Sequence, residues 1–158
     1  MFCFAETFPL HANSTVEEWM LSLRFGQLMN PQEAMQMNAL QLAYLGDSVW
    51  EMIVRYDLVL QKYNVHHLHE RSVQRVNAAA QAALAARIRP LLNEEEEEIF
   101  RRGRNANSKH PAPRNQRSDD YSLATGFEAV WGYLYITGQD ERIAGLVKIV
   151  KELEKENG

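Results

Sequence analysis

The sequence predicts a single domain built entirely from α-helices. Apolar residues recur at helical spacing along most of the chain, residue types that cap helices precede these runs, and no two alternating runs joined by a tight turn indicate a hairpin. At 158 residues, the chain can bury one core without disulfides or metal staples. We therefore predict an N-terminal extension over residues 1–30 and one helical domain over residues 31–158.

The first three predicted helices follow from their caps and from one long apolar stripe. A helix over about residues 16–29 would be capped by Ser14 or Thr15. Asn30 precedes Pro31 and would cap a second helix, with Pro31 at its first position. Asn38 would then begin a third helix over roughly residues 39–61. Its buried stripe comprises Leu42, Leu45, Val49, Ile53, Tyr56 and Leu60.

The second half of the chain predicts four more helices. An alanine-rich helix covers residues 71–88, and Pro90 separates it from a short helix capped by Asn93 and ended by Gly103. A long loop follows. The next helix begins at residue 118 or 119 and ends near residue 136, where Gly138 closes it. The last helix is amphipathic, with apolar residues Ile143, Leu146, Ile149, Val150 and Leu153.

Charge is distributed unevenly along this chain, whose formal net charge is -4. Residues 94–98 are all glutamate, whereas residues 101–117 carry six lysines or arginines and no acid. Such a basic run favours a polyanionic partner, although it could also be a solvated loop that offsets the acidic run. The single cysteine, Cys3, argues against a disulfide framework, and no apolar run approaches the length of a membrane span. We expect a cytoplasmic protein that does not bind membranes.

Two carboxylates stand out because they interrupt apolar helical runs beside glycines. Asp47 follows Gly46, and Glu128 lies two residues after Gly126. A buried carboxylate is costly when alone, whereas two that converge on one hard cation form a metal site. Both residues could equally be surface or helix-dipole carboxylates, and spacing does not decide between these interpretations.

The stretch L-A-Y-L-G-D-S-V-W-E over residues 42–51 resembles the signature helix of the ribonuclease III catalytic domain, and F-E-A-V-W-G over residues 127–132 resembles its second catalytic helix. Three further segments, N-A-A-A-Q-A over 77–82, R-G-R-N-A over 102–106 and A-T-G-F-E-A over 124–129, are similar to the Mini-ribonuclease III subgroup. The resemblance extends over about residues 38–138. It implies an all-α fold like that of the ribonuclease III endonuclease domain, and a homodimeric protein. The implied activity is hydrolysis of double-stranded RNA.

The resemblance assigns Asp47 and Glu128 as the catalytic, metal-binding carboxylates. Mg²⁺ would be the cofactor, with Mn²⁺ as a substitute, because Mg²⁺ keeps several waters and needs few carboxylates. Larger relatives place further carboxylates where this chain has Ala43 and Thr125. The number of metal ions therefore stays open.

The resemblance also implies how the RNA and the second subunit are bound. Larger relatives have a separate RNA-binding domain after the catalytic one, and only a short helix follows Gly138 here. The basic run would supply the affinity through Arg101, Arg102, Arg104, Asn105, Lys109, Arg114 and Arg117. Tyr44 would lie at the dimer interface. His66, His67 and His69 suggest an RNA contact or a polar helix start rather than zinc.

The function that this resemblance implies is metal-dependent cleavage of double-stranded RNA in maturation of the large-subunit (23S) ribosomal RNA precursor in bacteria. A substrate with a ribosomal protein bound to it is among the partners we consider. The main alternative is a non-catalytic double-stranded RNA-binding ribosome-assembly factor on the same fold, given Ala43 and Thr125. A helical protein-interaction domain without RNA is a third possibility.

Overall fold

The computed structural model describes residues 27–106 and 118–156, and within these residues it contains helices and no strand. The predicted all-α fold is confirmed. The helices are α1 (Pro31–Gln36), α2 (Ala39–Leu60), α3 (Val65–Val76), α4 (Ala78–Ile88), α5 (Glu94–Ala106), α6 (Ser118–Ile136) and α7 (Asp140–Glu156), with a 3-10 turn at Arg89–Leu91 after α4. The helix predicted over residues 16–29 lies almost wholly outside the described residues, and residues 27–30 are not helical.

Asparagine caps begin several helices as the sequence predicts. The side chain of Asn30 accepts from the N–H of Gln32 at 2.8 Å, and that of Asn38 accepts from Leu40 at 2.9 Å. Asn93 and Glu96 form a reciprocal capping box at the start of α5, with both bonds at 2.9 Å. Gly138 adopts a φ of 74° and ends α6, which confirms the predicted closure.

Two predicted boundaries are wrong. The single helix over residues 71–88 is two helices, because Asn77 is extended and its side chain caps both of them. Its amide nitrogen donates to the carbonyls of Val73 and Gln74, and its oxygen accepts from Ala80. The other error concerns Gly103, which lies inside α5 rather than at its end. A Cβ there would approach the Thr125 carbonyl oxygen to 2.9 Å, so this glycine permits close packing against α6.

Helix α6 is the centre of the fold, packed against α2, α4 and α5. Its buried residues form one core with those of α2, and the rings of Trp50, Phe127 and Trp131 meet there. Trp50 and Trp131 stack with centroids 5.4 Å apart, while Phe127 meets both edge-on at 5.1 and 5.7 Å. None of the described helices is long and apolar enough to span a bilayer.

Ionic contacts tie the last helix, α7, to α2 and α3. Asp57, near the end of α2, accepts from Arg75 of α3 at 2.8 Å and lies 2.7 Å from Nζ of Lys151 on α7. Arg75 also binds Glu154 of α7 at 2.7 Å. Burial alone would raise the pKa of Asp57, but hydrogen bonds and positive charge from Lys151 and Arg75 outweigh it and lower that pKa.

Among the glycines of the described residues, those at the crossing of α2 over α6 leave the least room for a side chain. A Cβ on Gly46 would lie 1.7 Å from the Glu128 carbonyl oxygen, and a Cβ on Gly132 would lie 1.9 Å from that of Leu42. The clashing atoms belong to the backbone and cannot rotate away. Gly46 therefore permits close packing between two helices of the same chain.

We expect Gly46→Ala to lower the free energy of unfolding by about 3 kcal/mol or more, because the helices must separate to admit the methyl group. Gly145→Ala is the matched control, since an added Cβ at this exposed position of α7 meets nothing within 4 Å. That change should stabilise by up to about 1 kcal/mol. Urea unfolding of both variants measures the difference, and equal stabilities would contradict the proposed constraint at the crossing.

Candidate active site

The α2–α6 crossing brings together the two carboxylates that the sequence singled out. Asp47 follows Gly46 on α2, and Glu128 lies one helical turn before Gly132 on α6. The two glycines let the helix backbones touch, so the side chains next to them converge on one edge of the core. Both carboxylates are partly buried there.

The electrostatics of the two carboxylates indicate that they lie at one site. The pKa of Glu128 is raised to about 8, mainly by burial and then by the negative charge of Asp47, against an opposing effect of the Gln81 amide. Burial and then the charge of Glu51 raise the pKa of Asp47. Negative charge thus accumulates at this edge of the core. Such a site can receive a cation or a proton.

Glu51 and Arg55 continue the Asp47 face of α2. Arg55 donates to a carboxylate oxygen of Glu51 at 2.7 Å, and both side chains are substantially exposed. The sequence placed these residues one and two turns after Asp47 but gave them no role. Their contribution here is electrostatic, since Glu51 adds negative charge beside Asp47.

Gln81 is the residue at this site that the sequence analysis missed. It lies on α4 and is 1% exposed, and within the described part of the chain its Nε2 has no hydrogen-bond partner. Its amide nevertheless lies close enough to Glu128 to oppose the rise in that pKa. One signal was available, because Gln81 is the only polar residue between Asn77 and Arg87.

The two positions where larger relatives carry carboxylates supply no ligand here. Ala43 is buried one turn before Asp47. The Thr125 hydroxyl donates to the Tyr121 carbonyl at 2.9 Å, which directs it along its own helix. Over the described residues, no cluster of three or more histidine, cysteine, aspartate or glutamate side chains is arranged to hold a metal.

The predicted RNA-binding residues divide between α5 and residues that the structure does not describe. Arg101, Arg102, Arg104 and Asn105 lie on the last two turns of α5, whereas Lys109, Arg114 and Arg117 fall outside the described residues. Because Gly103 packs on the backbone of Thr125, this end of α5 lies within one turn of Glu128 along α6. The basic end of α5 therefore packs on the segment of α6 that carries Glu128.

Two of these arginines have partners within the protein. Arg101 forms a bidentate pair with Glu98 at 2.8 Å. Arg102 donates to the carbonyls of Met35 and Met37, which lie at the junction of α1 and α2. Arg102 therefore has a structural contact that its place in a basic run did not suggest. Tyr44 is 84% exposed on α2, one turn before Ser48.

Comparison with known families agrees with this arrangement. The ribonuclease III domain matches residues 40–139, which include both carboxylates and most of the described chain. The chain belongs to the ribonuclease III family. It is accordingly an endoribonuclease, as the sequence resemblance implied.

Individual ribonuclease III relatives cover most of the chain. Mini-ribonuclease 3 of Clostridium tetani is 41% identical over 134 residues, which are 84% of this chain and 88% of that protein. Mini-ribonuclease 3 of Symbiobacterium thermophilum is 42% identical over 123 residues, covering 77% and 92%. A crystal structure of a Fusobacterium nucleatum protein superimposes with a TM-score of 0.69 at 31% identity, over 75% of this chain and 95% of that one.

The raised pKa of Glu128 makes the stability of this ribonuclease depend on pH. The folded enzyme holds the Glu128 proton more tightly than the unfolded chain does, where the pKa is 4.5. This contribution to stability is complete below pH 4.5 and is lost as the pH rises through about 8. In EDTA, Glu128→Gln should thus match the wild type near pH 5 and exceed it near pH 9. A tenfold difference in proton affinity between the folded and unfolded chains corresponds to about 1.4 kcal/mol of unfolding free energy.

Thermal unfolding in EDTA at several pH values measures this difference. Glu152→Gln, which neutralises an exposed carboxylate on α7, is the control and should follow the wild type throughout. A Glu128→Gln variant that tracks the wild type from pH 5 to pH 9 would show that Glu128 is not buried as described.

Proposed function

We propose that this endoribonuclease cleaves double-stranded RNA by metal-dependent phosphodiester hydrolysis at Asp47 and Glu128. The observation that carries the proposal is the convergence of these carboxylates at the α2–α6 crossing, where burial and mutual repulsion raise the pKa of Glu128. A bound divalent cation would offset both the loss of hydration of the ionised Glu128 carboxylate and its repulsion by Asp47. The ribonuclease III family generally depends on divalent metal and acts on double-stranded RNA, which supports the assignment.

The donor set fits Mg²⁺, with Mn²⁺ as a substitute. Asp47 and Glu128 supply hard carboxylate oxygens, and Mg²⁺ commonly binds through one or two carboxylates while water and substrate phosphate complete its shell. When bound, the cation would activate water and neutralise charge on the leaving oxygen. The protein would contribute the α2–α6 crossing, which holds the carboxylate oxygens of Asp47 and Glu128 near each other. On its inner side, that crossing is covered by the packed rings of Trp50, Phe127 and Trp131.

The rival function is a non-catalytic RNA-binding assembly factor. Ala43 and Thr125 motivate it, because neither position provides a carboxylate. Retention of the buried carboxylates argues against it, since their repulsion is a cost that an RNA-binding surface would not require. Cleavage of an RNA duplex in Mg²⁺, abolished by EDTA, distinguishes the two functions.

Removing either carboxylate should abolish turnover and leave RNA binding largely intact. Changing a residue that only supports a metal ligand already lowers metal affinity or activity about 10- to 100-fold. Asp47→Asn or Glu128→Gln removes a ligand itself and should therefore lower the cleavage rate by at least about 100-fold. The double variant should be barely worse than either single one, since both residues serve one site. Single-turnover cleavage and duplex binding measure the two effects, with Glu152→Gln as control. Near-normal cleavage by Asp47→Asn would refute the mechanism.

We propose that residues 101–117 bind the phosphate backbone of the duplex. The six basic residues and the asparagines among them suit phosphates and 2′-hydroxyls. The contact of Gly103 with α6 supports this proposal, because it places the end of α5 beside the Glu128 helix. Arg102 is a poor choice for testing it, since its contacts to Met35 and Met37 make it structural as well.

Changing Arg104, Arg114 and Arg117 together to Ala should weaken binding to many duplex sequences alike. Each lost phosphate contact should reduce the slope of log affinity against log salt by about 0.9. Binding titrations from low to high salt measure the slope. Lys148→Ala, which removes one exposed cation from α7, is the control and should leave the slope unchanged. A loss confined to certain sequences would indicate base reading through Asn105 instead, and an unchanged slope would move the RNA site elsewhere.

We propose that the active enzyme is a homodimer with Tyr44 at its interface. A large aromatic side chain that is 84% exposed beside the active-site carboxylate supports this placement. Tyr44→Asp should dissociate the dimer in sedimentation and lower activity together. Val65→Asp is the control, because Val65 is also exposed but opens α3, where an aspartate favours the helix. An intact, active dimer of the Tyr44 variant would refute the placement.

The substrate that we propose is the 23S ribosomal RNA precursor, processed in the bacterial cytoplasm, with or without a bound ribosomal protein. The support is the similarity to Mini-ribonuclease 3 proteins. Sequencing 23S ends after depletion of this enzyme tests it, and normally processed ends would rule out that substrate.

A further inference from the structure

Gln81 combines three properties that rarely occur together in a helix core. It is 1% exposed, its Nε2 lacks a hydrogen-bond partner among the described residues, and its surroundings on α4 are almost all alanine and other apolar residues. Buried side-chain amides normally have their donors satisfied, so an unpaired one needs an explanation. Packing alone does not provide it, because leucine or methionine would fill the same space without an unpaired donor.

The position of Gln81 provides that explanation. Helix α4 packs directly on α6, and the buried Gln81 amide lies beside the Glu128 carboxylate. An amide N–H is a donor and a carboxylate oxygen is an acceptor, so the pair is chemically matched. Ala43 and Thr125 carry no carboxylate, and Gln81 is a buried polar side chain on the helix that packs against α6.

We propose that Gln81 is a positioning residue for the active site: its amide donates to one oxygen of Glu128 and directs the other toward the divalent cation. This inference rests on the proposed function. Side chains that hold metal-binding carboxylates by hydrogen bonds fix their orientation and typically contribute 10- to 100-fold to metal affinity. Gln81 supplies this from a third helix, so the site is built by α2, α6 and α4 together.

Gln81→Met tests the proposal on the full-length chain, because methionine keeps the length and volume but cannot donate. Mg²⁺ affinity is measured by calorimetry and by the fluorescence of Trp50 and Trp131, each three residues after a carboxylate. We expect the dissociation constant for Mg²⁺ to rise about 10-fold or more, while the melting temperature in EDTA stays unchanged or rises. Cleavage should be impaired at limiting Mg²⁺ and should recover in large part at saturating Mg²⁺.

Leu84→Met is the matched control. It alters packing one turn later on α4 and should leave Mg²⁺ affinity unchanged. A purely structural role for Gln81 gives the opposite pattern, with a lower melting temperature in EDTA and unchanged affinity for Mg²⁺. Gln81→Leu provides a second variant. If both Gln81 variants fail to fold in EDTA, the amide is required by the core and the proposal is overturned.

A double-mutant cycle with Glu128→Gln tests whether Gln81 acts through Glu128. Adding Gln81→Met to that variant should weaken Mg²⁺ binding no further. An additional loss would show that Gln81 acts independently and would overturn the proposal. Failure of the proposed function is recognised separately. In that case the wild type and Glu128→Gln would bind Mg²⁺ equally weakly, whereas failure of this inference alone leaves a wild-type site that Gln81→Met does not affect.

Discussion

The contact between Gly46 and Gly132 determines most of what is distinctive in this structure. Two helices of ordinary composition keep their axes about 8–10 Å apart, but here each glycine faces a carbonyl of the other helix. A side chain at either glycine would clash with the carbonyl oxygen of Leu42 or Glu128. Neither helix can therefore accept a larger residue at the crossing. This backbone contact places Asp47 and Glu128 at the same edge of the core.

Two carboxylates close together at a partly buried edge lower the stability of the fold, and packing elsewhere in the core must offset this loss. The rings of Trp50, Phe127 and Trp131 supply a large apolar area immediately behind the carboxylates, and this area stabilises the crossing that brings them together. In the proposed function, a bound divalent cation would relieve this repulsion. Local instability of the crossing and affinity for the cation would then be two consequences of one arrangement.

Sequence patterns predicted the features that depend on local chemistry. The caps Asn30, Asn38 and Asn93 and the closing Gly138 act through neighbours a few residues away, so their roles could be read directly. Asn77 was missed because an alanine-rich stretch has strong helix propensity on both sides of it, and the break depends on a side chain that satisfies two helix ends at once.

Features that depend on distant residues could not be predicted in this way. Both carboxylates were singled out because they interrupt apolar helical runs beside glycines, and the resemblance supplied their pairing. Arg102 was grouped with other cations, since nothing in its neighbourhood points to carbonyls more than sixty residues earlier. Gln81 was likewise overlooked, because the Glu128 carboxylate beside it lies on another helix.

The ionic cluster around Asp57 has a consequence for the lifetime of the fold. Arg75 and Glu154 are separated by 79 residues, and Lys151 reaches Asp57 from the same last helix. Contacts that close such long loops are entropically slow to form, so we expect them to be absent from the folding transition state. Interactions of that kind slow unfolding with little effect on the rate of folding. The last helix would then determine how long a folded molecule persists, a quantity that stopped-flow unfolding measures directly.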